Sequence, residues 1–143
     1  MNYFEVEPCI VTHITACVDN LVAVDTPFDI DDMLDNSNVT PSVSVIYYGD
    51  RIGENGARGV LNSQYQQWLV VLKLNDPQAQ AGNTNSLRKL ANPFILQILE
   101  CMQGFDPKID KFRHFKRADS PVGVGSSSGF GYFPFLFEIQ MFV

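Results

Sequence analysis

The residues best suited to metal or nucleophilic chemistry are His13, His114, Cys9, Cys17 and Cys101. Structural zinc sites usually take their ligands in local pairs such as H-x-x-x-H or C-x-x-C. Such spacing brings two donors to one ion with little loss of chain entropy. Neither pair occurs. A thiol–imidazole nucleophile needs sulfur and ring nitrogen within hydrogen-bond reach. Cys101 with His114 is the pair to weigh, and no local signature marks it. The cysteines are odd in number and widely spaced, and they read as buried, reduced thiols.

Phosphate chemistry fails on context. Gly49, Gly53, Gly56 and Gly59 lack the Lys-Ser or Lys-Thr that completes a phosphate loop, and they lead into a predicted strand. Gly123, Gly125, Gly129 and Gly131 also precede a strand, so they miss the dinucleotide fingerprint. Asp25, Asp29, Asp31, Asp32 and Asp35 lack the central Gly and distal Glu of a calcium loop, and read as a solvated acidic connector. No catalytic residue, cofactor or metal is assigned.

The remaining chemistry is charge. Lys108, Lys111, Arg113, Lys116 and Arg117 form a basic cluster interleaved with Phe112 and Phe115. Three readings stay open. The cluster can bind nucleic acid through phosphates and stacked bases. It can guard an edge strand against unwanted pairing. It can meet the acidic 25–35 segment of a neighbouring copy. The net charge of −6 argues against general nucleic-acid binding.

These residues must be positioned by a small set of elements. Ile10, Ile14, Cys17 and Leu21 recur at helical spacing, with Val18 and Val22 widening the stripe, and predict a helix over Val6 to Val24. Asp25 to Pro41 is a connector with a short helical turn near Asp29 to Leu34. Ser42 to Tyr48 predicts a strand, Gly49 to Ser63 a loop and Gln64 to Leu74 a second strand. In the latter, Trp68, Val70, Leu72 and Leu74 alternate with Leu69, Val71 and Lys73, so both faces are apolar and the strand should be central. Asn83 to Gln103 predicts a second helix, capped near Asn85, with Pro93 either kinking or splitting it. Gly104 stops it. Ile109 to Arg117 and Tyr132 to Val143 form a hairpin around the Gly/Ser-rich loop Ala118 to Gly131. The expectation is an α+β fold: a mostly antiparallel sheet of about four strands with two main helices packed on it.

Length and composition fit that reading. The chain has 143 residues, a usual size for one domain. Hydrophobic residues make up 45% and charged residues 18%. The charged share is below the usual ~25%, which leaves neutral surface suited to contact with partners. The first residues carry Glu5 and Glu7 and no Lys or Arg, the wrong charge for a leader, and no apolar run reaches membrane-spanning length. A cytoplasmic protein is expected.

In order, the motifs resemble the tail terminator family of tailed bacteriophages, including the short tail-completion proteins of Mu-like prophages and the lambda-type terminators. They are the predicted N-terminal helix, Thr40-Pro41-Ser42-Val43-Ser44-Val45, Gln66-Gln67-Trp68-Leu69-Val70-Val71, Gly104-Phe105-Asp106-Pro107 and Tyr132 to Ile139. The resemblance spans roughly residues 5 to 143. Two departures stand out: Phe105 replaces the expected Trp, and the loop before the final strand is long. The resemblance implies a ring, typically of six copies, that caps the tail tube in the host bacterial cytoplasm. It would end polymerisation and offer a docking face to the head-neck connector proteins at the head-proximal end of the virion tail. The implied partners are further copies of the chain, the tail tube protein and the neck proteins, with no membrane and no sequence-specific nucleic acid. Other readings are a different neck connector subunit, or a small ligand-binding or thiol-dependent domain using Cys101 and His114. For an assembly protein, Gly49 to Ser63 and Ala118 to Gly131 are the expected contact segments. Arg51, Arg58, Lys111, Arg113 and Arg117 are the candidate interface cations.

Overall fold

A computed structural model describes residues 1–36, 39–53, 63–76, 85–127 and 129–143. The elements run α1 (Val6–Cys17), β1 (Ala23–Asp25), α2 (Ile30–Asn36), β2 (Ser42–Ile52), β3 (Gln64–Asn75), α3 (Asn85–Met102), β4 (Phe112–Ala118), β5 (Gly125–Ser127) and β6 (Phe130–Met141). The fold is α+β as expected, but richer. The described residues form a six-stranded sheet in the order β1-β2-β3-β6-β4, with β5 added beside β6. The sheet is mixed rather than wholly antiparallel, because β1 runs parallel to β2.

The centre of the sheet follows from the two-residue alternation in β3. Trp68, Val70, Leu72 and Leu74 join Val43, Val45, Phe133, Phe137 and Ile139 in a core covered by α1 and α3. Leu69 and Val71 join Ile46 and Leu136 on the opposite face, under Met33 of α2. A strand apolar on both sides is stable only between two neighbours and two layers. β3 has both, pairing with β2 and with β6.

The first helix is shorter than its apolar stripe suggested. It ends at Cys17, where the Val18 N–H still donates to the Ile14 carbonyl at 2.9 Å. Asn20 then adopts a left-handed conformation with φ 66°, which a helix cannot continue. The next residues turn extended, and Ala23–Asp25 becomes an edge strand. Val6, Ile10 and Ile14 are buried on α1, whereas Cys17 faces out.

Other boundaries shift for equally local reasons. β2 runs on to Ile52 through an irregularity between Tyr47 and Gly49, so the residues directly after Tyr48 are strand rather than loop. Gly49 takes φ 130°, a value side chains rarely adopt. The acidic turn folds as α2, with Asp29 accepting the Asp32 N–H at 2.8 Å and Asp32 accepting the Phe28 N–H at 2.9 Å. This is reciprocal capping of orphan donors at a helix start. α3 is one helix with Pro93 inside it, not two. Asn85 is its first residue rather than its cap. Leu90 is exposed and Ala91 takes its place in the core. The Gly/Ser-rich segment also contributes strand β5, which pairs with the start of β6.

Tyr3 ties the first residues to the sheet. Its hydroxyl donates to Asp50 and accepts from Gln64 at 2.8 Å, and its carbonyl accepts from Gln66 at 2.5 Å. No helix among the described residues is long and apolar enough to cross a membrane.

Candidate assembly surface

The charged side chains are sorted by the sheet. β4 is an outer strand, bonded to β6 alone among its described neighbours. Its burial follows a break in register: Phe112 and Phe115 point into the core, and the irregularity between them leaves Arg113 and His114 exposed. Lys116 and Arg117 are exposed as well. Lys111 precedes the strand with φ 70°, and its carbonyl accepts the Phe142 N–H at 2.9 Å.

Aromatic rings hold the cations in place. The Arg113 guanidinium lies 4.8 Å from the Phe142 ring centroid and that of Arg117 lies 5.4 Å from Phe135. Stacking of this kind orients a guanidinium while leaving its N–H donors available.

Arg51 belongs to a different group. It sits at the far end of β2, where its Nε donates to Glu138 Oε2 at 2.8 Å and its Nη2 to Oε1 at 3.2 Å. Gln67 of the intervening strand donates to the same carboxylate at 3.0 Å. The Tyr65 ring lies 4.1 Å from Arg51 and 4.6 Å from the Lys116 ammonium. Glu138 is almost wholly buried, and burial by itself raises a carboxyl pKa. Hydrogen bonds from Arg51 and Gln67, with the charges of Arg51 and Lys116, outweigh that effect and hold it below the usual range. Arg51 is therefore engaged within its own chain. Arg58 lies outside the described residues, as do residues 54–62 of the expected contact loop.

Exposed carboxylates follow the opposite edge strand. β1 carries Asp25, and α2 follows with Asp31 and Asp35 exposed. Asp25 accepts from the buried Lys73 ammonium at 3.1 Å and from the Ser44 hydroxyl. β4 and β1 are the outermost strands of one sheet, separated by β2, β3 and β6; the exposed cations lie on or beside β4, and the exposed carboxylates on α2, which follows β1.

The cysteines differ from expectation. Only Cys101 is buried; Cys17 is exposed and Cys9 half-buried. The neighbours of Cys101 are His13 and Cys17 on α1, not the distant strand histidine His114. The signal for this grouping was present as His13-x-x-x-Cys17, one turn apart on α1, a mixed form of the sought pairs.

The exposed cations of β4 thus stand at one edge of the sheet. The chain belongs to the phage tail terminator protein family, whose model matches residues 1–143, the whole chain. It is accordingly a structural protein of the phage tail. No curated protein matches the chain.

Proposed function

We propose that copies of this chain assemble side by side into a ring, of six copies, that caps the tail tube and ends its polymerisation. The observation that supports this reading is the exposed cations of β4 at one end of the strand order and the exposed carboxylates of α2, which follows the strand at the other end. The β4 edge, with Lys111, Arg113 and Arg117, meets the β1–α2 edge of the next copy, with Asp31 and Asp35. Contacts between unlike edges are heterologous, and they close into a ring when the rotation between copies divides a full turn. Complementary charge steers the encounter and sets the register. One ring face then rests on the tail tube protein and the other is offered to the head-neck connector proteins. Assembly takes place in the host bacterial cytoplasm, before the tail joins the head. The function needs no chemistry beyond shape and charge.

Deleting the gene and imaging the resulting particles tests the proposal. Abnormally long, unjoined tails are expected. Free tails of normal length would instead assign the chain to a later joining step in the neck.

A further inference from the structure

The side chains of α1 and α3 meet at a cluster that the assembly reading does not use. His13 and Cys17 lie one turn apart on α1, so they project from the same helix face. Cys101 reaches them from the C-terminal end of α3. One donor atom from each lies within 4.8 Å of the others.

The imidazole is held in one orientation. Its Nε2 is 2.8 Å from the Cys101 carbonyl oxygen. A carbonyl only accepts, so Nε2 carries a proton and Nδ1 is the nitrogen left to bind a metal. The ring stacks on Phe105 at 3.7 Å between centroids, with 6° between planes. A histidine whose second nitrogen donates to a backbone carbonyl is oriented and made more basic as a ligand. The Cys17 Sγ lies 3.7 Å from Nδ1 and 3.7 Å from Nε2. In a tetrahedral zinc site with Zn–S of about 2.3 Å and Zn–N of about 2.0–2.1 Å, sulfur and nitrogen donors stand about 3.6 Å apart. The separation thus matches that of two ligands on one ion, and rotation of the exposed Cys17 side chain toward Nδ1 would bring the sulfur onto an ion held there. Cys101 completes the set by a modest side-chain adjustment.

We infer that His13 Nδ1, Cys17 Sγ and Cys101 Sγ form a binding site for one thiophilic divalent transition-metal ion of the zinc class. Two sulfurs and an imidazole select such an ion over magnesium or calcium, which take oxygen donors. Three protein ligands leave the fourth tetrahedral position to water. The exposed side of Cys17 gives access, and so does the shallow groove lined by His13 and Phe105. Each thiol releases its proton to solvent as its sulfur binds the metal. The ion then clamps the end of α1 to the end of α3.

The test is titration of the reduced, full-length protein with Co(II), followed by displacement with Zn(II). A thiolate-to-cobalt charge-transfer band saturating at one equivalent is expected, with the visible bands of tetrahedral cobalt. Cys9→Ser should keep the band, since Cys9 lies outside the cluster. Cys17→Ser should abolish it; this exposed position can be changed without disturbing the core. His13→Gln should weaken binding by about tenfold or more. Circular dichroism checks that each variant is folded. Absence of the band in the reduced wild-type protein would overturn the inference. So would binding of unchanged affinity in folded His13→Gln or Cys17→Ser.

Discussion

Arg51 and Glu138 form an ion pair that spans a whole strand: they sit on β2 and β6, and β3 runs between them. Gln67 of β3 donates to the same carboxylate, so three adjacent strands are joined on one face. The Arg51 side chain is about half exposed while Glu138 is buried. The carboxylate is therefore the member that depends on its partner.

Arg51→Ala is expected to destabilise the chain by about 1–3 kcal/mol at neutral pH, because it removes the charged donor from a buried carboxylate. The folded pKa of Glu138 is lowered relative to the unfolded chain. Its contribution is thus complete above the ordinary glutamate value and is lost as pH falls through the lower, folded one. Urea unfolding of wild type and variant between about pH 7 and pH 3 should show the two curves converging at the acid end. A gap that stays constant down to pH 3 would show that the pair does not stabilise through charge.

Asp25 and Lys73 pair differently, with the cation as the buried member. Asp25→Ala is expected to cost about 1–3 kcal/mol, since it removes the carboxylate from a desolvated ammonium. Lys73→Met removes the buried charge itself and should cost less, and it can be neutral. Equilibrium unfolding of both variants checks the ordering; a larger loss for Lys73→Met contradicts it.

The edge-to-edge ring makes a prediction that a single variant cannot make. Arg113→Glu should weaken self-association while costing at most about 0.5–1 kcal/mol of stability from its lost contact with Phe142. Asp35→Lys should do the same from the other edge. Mixing the two variants should restore association in part, because each supplies the charge that the other has lost. Added salt should weaken wild-type association, as expected for exposed charges separated by roughly a Debye length of ~10 Å at 0.1 M salt. Light scattering coupled to size exclusion reads all of these. Two variants that each associate like wild type would remove these edges from the interface.

Gly104 ends α3 with φ 80°, and its N–H donates to the Phe115 carbonyl at 2.9 Å. Gly104→Ala should destabilise by about 1–2 kcal/mol through backbone strain alone, because no atom stands where the new methyl would go. A melting temperature unchanged within error would show that the turn relaxes.

What was legible in the chain was periodicity. The alternation in β3, the stripe along α3 and the long pattern of Phe133 to Met141 each run far enough to fix type and face. What was hidden depended on single residues or on distant partners. Leu21 and Val22 continued the stripe of α1, and only the left-handed turn at Asn20 ended it, so β1 was absorbed into a helix. Gly49 reads as a loop residue but serves as the irregularity that lets β2 run on to Ile52. β5 has no pattern of its own and exists because the start of β6 offers it an edge. At the candidate surface, the local basic cluster was visible. Its place across the sheet from the α2 carboxylates was not, because that depends on strand order. Nor could sequence show that Arg51 is already engaged by Glu138.

β6 lies between β3 and β4, yet the ribosome makes it after every other described element. Until it emerges, one side of β3 has no partner, and the strand most apolar on both faces presents an open ladder of N–H and C=O groups. The interval between synthesis of β3 and release of the chain is thus when this protein is most exposed to mispairing with its own kind. Ribosome stalling or premature stops in the stretch from α3 to β5 should yield products that aggregate, where loss of a surface loop would not.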